Sequence, residues 1–195
     1  MLVAAMGQTI ARAWGLFRRP GVVLAFLALA GGGTALVFLP LLGVPGYELA
    51  EALACLVGLL GGAFGVAAAF QERRLIQGKD PRPKGALRSD SALASAWSAV
   101  SAALALCLLG LLPPLVTAVV FSLRTTACDP FVHALFVPLL TLPSAVLASA
   151  AGVLVGFTAR RWWTALLLHA ALVLGSLALT AWPIVFGPQV YAFNH

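Results

Sequence analysis

Charged side chains are scarce in this 195-residue sequence, of which Asp, Glu, Lys and Arg together make up 9%. Soluble domains carry about a quarter charged residues, so this chain lacks the polar shell that a water-soluble fold of its length needs. Hydrophobic residues make up 62% of the sequence, and the mean hydropathy is +1.02. The composition therefore excludes a soluble domain and predicts an integral membrane protein.

Cysteine is also scarce, and the sequence holds none of the common catalytic or metal-binding motifs. The chain has 3 cysteines, and their separations fit neither a metal site nor a redox site. There is no HExxH, no Walker-type phosphate loop and no pair of intramembrane aspartates. These absences exclude the corresponding protease and nucleotide-binding classes. The sequence therefore predicts no catalytic, cofactor-binding or metal-binding residue in this chain.

Acidic residues are half as numerous as basic ones, 6 against 12, and the net charge is +6. A basic chain could bind nucleic acid, but here the basic residues form short runs between long apolar segments. Such runs are typical of cytoplasmic loops that contact anionic lipid headgroups. We therefore expect a lipid partner and no nucleic acid.

Five apolar segments are long enough to cross a bilayer, which takes roughly 20 helical residues. The sequence therefore predicts an all-α transmembrane bundle that forms a single membrane domain. A preceding segment, residues 1–20, is expected to form a surface helix with its basic residues facing headgroups. A Pro-, Gly- and charge-rich segment, 71–91, is expected to be a cytoplasmic linker. The predicted spans are about 21–42, 52–70, 92–121, 132–157 and 162–186.

The distribution of Lys and Arg predicts the orientation of these spans. On one side, three precede the first span, six lie between the second and third, and two lie between the fourth and fifth. On the other side Arg124 is the only one. The positive-inside rule then places the N-terminus in the cytoplasm and the C-terminus outside. A bacterial inner membrane is the expected location.

Small residues recur at four-residue spacing in two predicted spans. In lipid, such stripes form grooves that let two helix backbones come close together. Packing within this chain is the favoured interpretation, with the seam of a homodimer as the alternative. The residues are the pairs Gly58/Gly62 and Gly61/Gly65 in the second span, and Ser144, Ala148, Gly152 and Gly156 in the fourth.

Two sets of polar residues stand out against the apolar background. His169 is the only titratable polar side chain well inside a span, and a hydrogen bond to Ser or Thr on another helix is favoured over ligand binding or proton relay. The outer loop holds a second set, for which loop capping is favoured over a Cys-Asp-His catalytic site. This set comprises Arg124, Cys128, Asp129 and His133.

The motifs "RTTACDP", "PLLTLPSAVLASAAG" and "FGPQVYAFNH", within residues 124–195, carry a resemblance. They resemble the multi-span N-terminal regions of large predicted bacterial membrane proteins, in which the last span leads into an extracytoplasmic, peptidase-like domain. The resemblance implies that this chain anchors, and helps regulate, such a domain after residue 195. It carries over no catalytic residue.

The alternative function is a permease-type subunit of a transporter. Proline and glycine interrupt several spans, and broken helices build substrate sites in many transporters. The segment "AWGLFRRP" before the first span also supports this alternative. Such a subunit would work with a separate ATPase, which would meet the 71–91 loop.

Overall fold

A computed structural model describes residues 2–39, 46–78, 92–122 and 130–186 of the chain. Within these ranges the protein has six helices and no strand. Five of them, α2 to α6, are long and apolar enough to cross a membrane. The all-α class and the five candidate spans are thereby confirmed. The helices are α1 (Leu2–Phe17), α2 (Pro20–Val37), α3 (Tyr47–Ile76), α4 (Ala92–Ser122), α5 (Pro130–Thr158) and α6 (Trp162–Phe186).

The first spanning helix is shorter than the apolar segment that contains it. Helix α2 ends at Val37, whereas the hydropathy extends to residue 42. The amide of Phe38 donates to the carbonyl of Ala35 at 3.1 Å, and a second turn of this kind follows at Leu39. Leu39 precedes a proline, whose ring disfavours the helical conformation in the residue before it. Backbone sterics, and not polarity, therefore set this boundary.

Helix α3 is longer at both ends than its predicted span of 52–70. It runs from Tyr47 to Ile76, with Glu48 in its first turn and arginines in its last. Charges of these signs at these ends complement the helix dipole. The start of the expected 71–91 linker is thus helical, and residues 79–91 lie outside the described part of the chain.

Helix α3 is the centre of the bundle. It packs most extensively against α5 and also contacts α2, α4 and α6. Its side chains Leu49, Leu53, Val57 and Phe64 are fully buried. Helix α6, in contrast, is buried at Ala165 and His169 and is largely exposed after Ala171. One helix therefore holds the bundle together, while another is attached along only part of its length.

The buried proline of α4 packs against α2. Pro114 lies within the helix and is fully buried. A Cβ atom added to Gly33 of α2 would lie 3.0 Å from its ring, and one added to Gly110 would lie 2.8 Å from Leu29. The missing side chains of these two glycines let α2 and α4 pack closely. Sequence patterns do not single them out, because their partners lie on a different helix.

The basic side chains of the described residues all lie at one end of the bundle. Helices α3 and α5 end, and α6 begins, at the end where Arg73 of α3 reaches the carbonyl of Ala159. The opposite end, where α3 begins, carries Glu48 and Glu51. We call the first the arginine end, because all Arg and Lys residues in the described ranges lie there. They are Arg12, Arg18, Arg19, Arg73, Arg74, Arg160 and Arg161.

Candidate functional site

Helices α3 and α5 approach each other so closely that no side chain fits between them. A Cβ atom added to Gly152 would overlap the carbonyl oxygen of Gly62, and one added to Gly65 would overlap that of Ser149. One added to Gly156 would lie 2.6 Å from Cβ of Ala69. Backbones come this close in lipid only where residues are small. The structure thus places four glycines of the two predicted stripes in one contact between α3 and α5 of the same chain. We call this contact, formed by Gly62, Gly65, Gly152 and Gly156, the glycine seam.

The remaining members of the two stripes lie beside this seam. Gly61 faces α4, where an added Cβ would lie 3.3 Å from the sulfur of Cys107. Gly58, Ser144 and Ala148 line a cleft that opens between α3, α5 and α6. The stripes therefore have two roles. Some of their residues allow the close contact between α3 and α5, and others line the wall of the cleft.

His169 of α6 is anchored to the backbone of α3. It is 2% exposed, and its Nε2 lies 3.0 Å from the carbonyl oxygen of Gly58. A carbonyl only accepts hydrogen bonds, so Nε2 is the donor in this contact. Nδ1 has no partner among the described residues. The partner of His169 is thus a main-chain carbonyl, and not the Ser or Thr side chain expected from the sequence.

The imidazole also occupies the space that a side chain at Gly62 would fill. A Cβ atom added to Gly62 would overlap the ring. The two glycines, one turn apart on α3, therefore have separate roles towards His169: Gly58 accepts its hydrogen bond, and Gly62 leaves room for its ring. This contact fixes the position of α6 against α3.

The cleft beside His169 has a volume of about 380 Å³. This is within the roughly 300–1,000 Å³ range of small-molecule sites. Its walls are mainly apolar, and its outer rim includes the exposed residues Glu51, Cys55 and Leu172. From the sequence, Glu51 is expected in a loop and Cys55 is no more than a small hydrophobe. Hydropathy carries no signal for a gap between helices, because the gap depends on how the helices cross.

The depth of the cleft follows from the spacing of charges along α3. Glu51 and Glu72 are separated by about 31 Å at 1.5 Å per residue. The hydrocarbon core of a bilayer is about 30 Å thick, so these two carboxylates can sit near its two boundaries. In a bundle that spans a bilayer, Gly62 and the ring of His169 would lie near the bilayer centre. The cleft lies between the levels of Glu51 and His169, about half of this distance.

At the arginine end, Arg73 caps helix α5. Its Nη1 donates to the carbonyl of Ala159 at 2.6 Å and to that of Gly156 at 3.2 Å. Its guanidinium also lies 5.2 Å from the centre of the Phe70 ring. A cation here satisfies carbonyls at the helix C-terminus and complements the dipole. In the sequence, Arg73 is only one of several basic residues.

Arg73→Ala is expected to lower the free energy of unfolding by about 1.5–3 kcal/mol, the usual size of a hydrogen bond from a charged donor. The substitution removes two bonds to α5 and the contact with Phe70. Arg74→Ala is the matched control, because Arg74 is the next residue along the chain and is exposed. Thermal unfolding in detergent measures both. An equal loss in the two variants would contradict the capping role.

The predicted outer-loop cluster lies almost entirely outside the described residues. Arg124, Cys128 and Asp129 fall between α4 and α5, in residues 123–129. His133 belongs to α5, but its side chain is likewise outside the described part. Both interpretations of this cluster, loop capping and catalysis, stay predictions.

Comparison with known proteins gives this chain no relative. No protein-family model, no curated protein and no solved structure matches it. The resemblance of residues 124–195 to regions that precede an extracytoplasmic domain stays a prediction.

Proposed function

We propose that this chain is a non-catalytic integral membrane domain, oriented with its arginine end in the cytoplasm, which anchors an extracytoplasmic domain joined after α6. The observation that carries the orientation is the confinement of the basic residues to one end of the bundle. Seven arginines lie at one end of the described structure, and Glu48 and Glu51 lie at the other. Basic residues are retained on the cytoplasmic side of bacterial inner membranes.

The anchoring role is supported by the number of candidate spans and by the packing between them. If each of the five candidate spans crosses the bilayer once, the end of α6 lies on the opposite side from the start of α2. The glycine seam gives the bundle a closely packed centre, because the backbones of α3 and α5 are in direct contact and no side chain lies between them. A domain attached after α6 would therefore be held at the outer surface by a stable base.

The orientation and the anchoring role can be tested together with fusions in bacteria. Alkaline phosphatase, which is active only outside the cytoplasm, is joined after residue 195 in one fusion and after residue 160 in a second. We expect activity from the first fusion and not from the second. We also expect the first fusion to stay in the membrane after a carbonate wash.

Either of two outcomes would contradict the proposal. Green fluorescent protein, which folds in the cytoplasm, would fluoresce after residue 195 if the orientation were reversed. An ATPase that copurifies from native membranes, and is lost when residues 79–91 are deleted, would favour the permease alternative instead.

A further inference from the structure

We propose that the cleft between α3, α5 and α6 binds one acyl chain of a phospholipid whose headgroup carries a primary amine, with Glu51 holding the amine. The proposal requires only that the bundle spans a membrane, and it does not depend on which end faces the cytoplasm. It rests on three features of the cleft, namely its depth, its closed inner end and the charge at its mouth.

The depth of the cleft fits one acyl chain. From the level of Glu51 to that of His169 the cleft extends over about 15 Å, half of the roughly 30 Å hydrocarbon core. Its walls are mainly apolar, and its open side is lined by exposed residues such as Leu147 and Leu172. In a bilayer this side faces lipid. A chain from the adjacent leaflet can therefore enter sideways, without crossing a polar layer.

The inner end of the cleft is closed. The ring of His169 is held against α3 by a hydrogen bond to the carbonyl of Gly58, and the residue is only 2% exposed. Beyond it, the contact between Gly62 and Gly152 joins α3 to α5 with no space between them. On the outer side of this closed end, the small side chains of Ala148 and Ala151 leave space for a ligand. The site thus accepts a chain of one leaflet's length and ends at the bilayer centre.

The mouth of the cleft supplies the selectivity. Apolar side chains gain little by exchanging one lipid tail for another, so the walls alone cannot prefer one lipid. Glu51 lines the mouth, and Glu48 lies one turn before it on the same helix. Both are exposed, and neither has a cationic partner among the described residues. A carboxylate in this position attracts an ammonium headgroup and repels an anionic one.

Native mass spectrometry of the delipidated protein in detergent tests the proposal. Phosphatidylethanolamine and phosphatidylglycerol with identical acyl chains are added in turn. We expect the first bound lipid to favour phosphatidylethanolamine by at least about threefold, a change of roughly 0.65 kcal/mol. Glu51→Gln should bring the two lipids to near-equal binding. Glu48→Gln, which removes the same charge beside the cleft, should keep most of the preference.

A second pair of variants tests the cleft itself. Ala151→Phe fills the space above His169 and should remove the first bound lipid of either type. Ala150→Phe makes the same substitution one residue earlier, at an exposed position that does not line the cleft, and should bind as wild type. Ala54→Phe, from the α3 wall, repeats the test if Ala151→Phe lowers the melting temperature.

Either of two results would overturn the proposal. Equal binding of the two lipids by the wild-type protein would remove the role of Glu51. Unchanged binding in folded Ala151→Phe and Ala54→Phe proteins would place the lipid elsewhere on the bundle.

Discussion

Gly152→Val is expected to lower the free energy of unfolding by about 3 kcal/mol or more, the upper range for overpacking a tight contact. The first atom of the new side chain would overlap the carbonyl oxygen of Gly62, which is main chain and cannot rotate away. Helices α3 and α5 would have to separate along the whole glycine seam. Because α3 also contacts α2, α4 and α6, the loss should spread through the bundle.

Thermal unfolding and size-exclusion chromatography in detergent measure this effect. Gly175→Val in α6 is the matched control, because a Cβ atom at that position meets nothing within 4 Å. Both variants replace a helical glycine by valine, so the change in helix propensity is the same. A melting temperature for Gly152→Val close to that of Gly175→Val would show that the seam does not hold the bundle together.

Arg12→Met is expected to destabilise the attachment of α1 by about 3 kcal/mol, because removing one partner leaves the other as an uncompensated buried charge. Nη2 of Arg12 lies 3.8 Å from Oε1 of Glu72, and the two side chains are 11% and 8% exposed. Alone, the carboxylate of Glu72 would remain nearly out of contact with water. We expect α1 to become accessible to protease as the overall melting temperature falls.

The double variant Arg12→Met/Glu72→Leu distinguishes two contributions to stability. One is the net stabilisation by the ion pair, and the other is the destabilisation by a buried carboxylate that has lost its partner. Replacing both partners by apolar residues should recover most of the lost stability, since a buried pair contributes little over a well-packed apolar contact. Arg18→Met is the control for a change of net charge at an exposed site. If the double variant were as unstable as Arg12→Met, a lone buried carboxylate would not be the cause.

Composition and spacing predicted the parts of the fold that depend on the bilayer. The five helices follow from apolar length, and the stripes of small residues lie on α3 and α5, where the backbones meet. The ends of the helices could not be predicted in the same way. Helix α2 ends before its apolar segment does, and α3 continues through the charged residues up to Ile76. Hydropathy indicates whether a segment is surrounded by lipid or by water. It does not indicate at which residue the helical hydrogen bonds of that segment end.

The site was less accessible to sequence reasoning, for two physical reasons. The acceptor for His169 is a main-chain carbonyl, and because every residue has one, no residue type identifies it. The cleft lies between α6 and the pair α3 and α5, and the way three helices cross depends on side chains from all of them. Glu51 becomes a candidate ligand only once these helices are in place.

The uneven attachment of α6 makes one wall of the cleft movable. Two walls, α3 and α5, are joined by the glycine seam, whereas α6 is held at Ala165 and His169 and is largely exposed after Ala171. Segments with few buried contacts have low local stability and move most easily. A molecule bound in the cleft would therefore change the angle between α6 and the pair α3 and α5. Any domain joined after α6 would move with this helix. If a phospholipid occupies the cleft as proposed, a change in lipid composition would then change the orientation of α6.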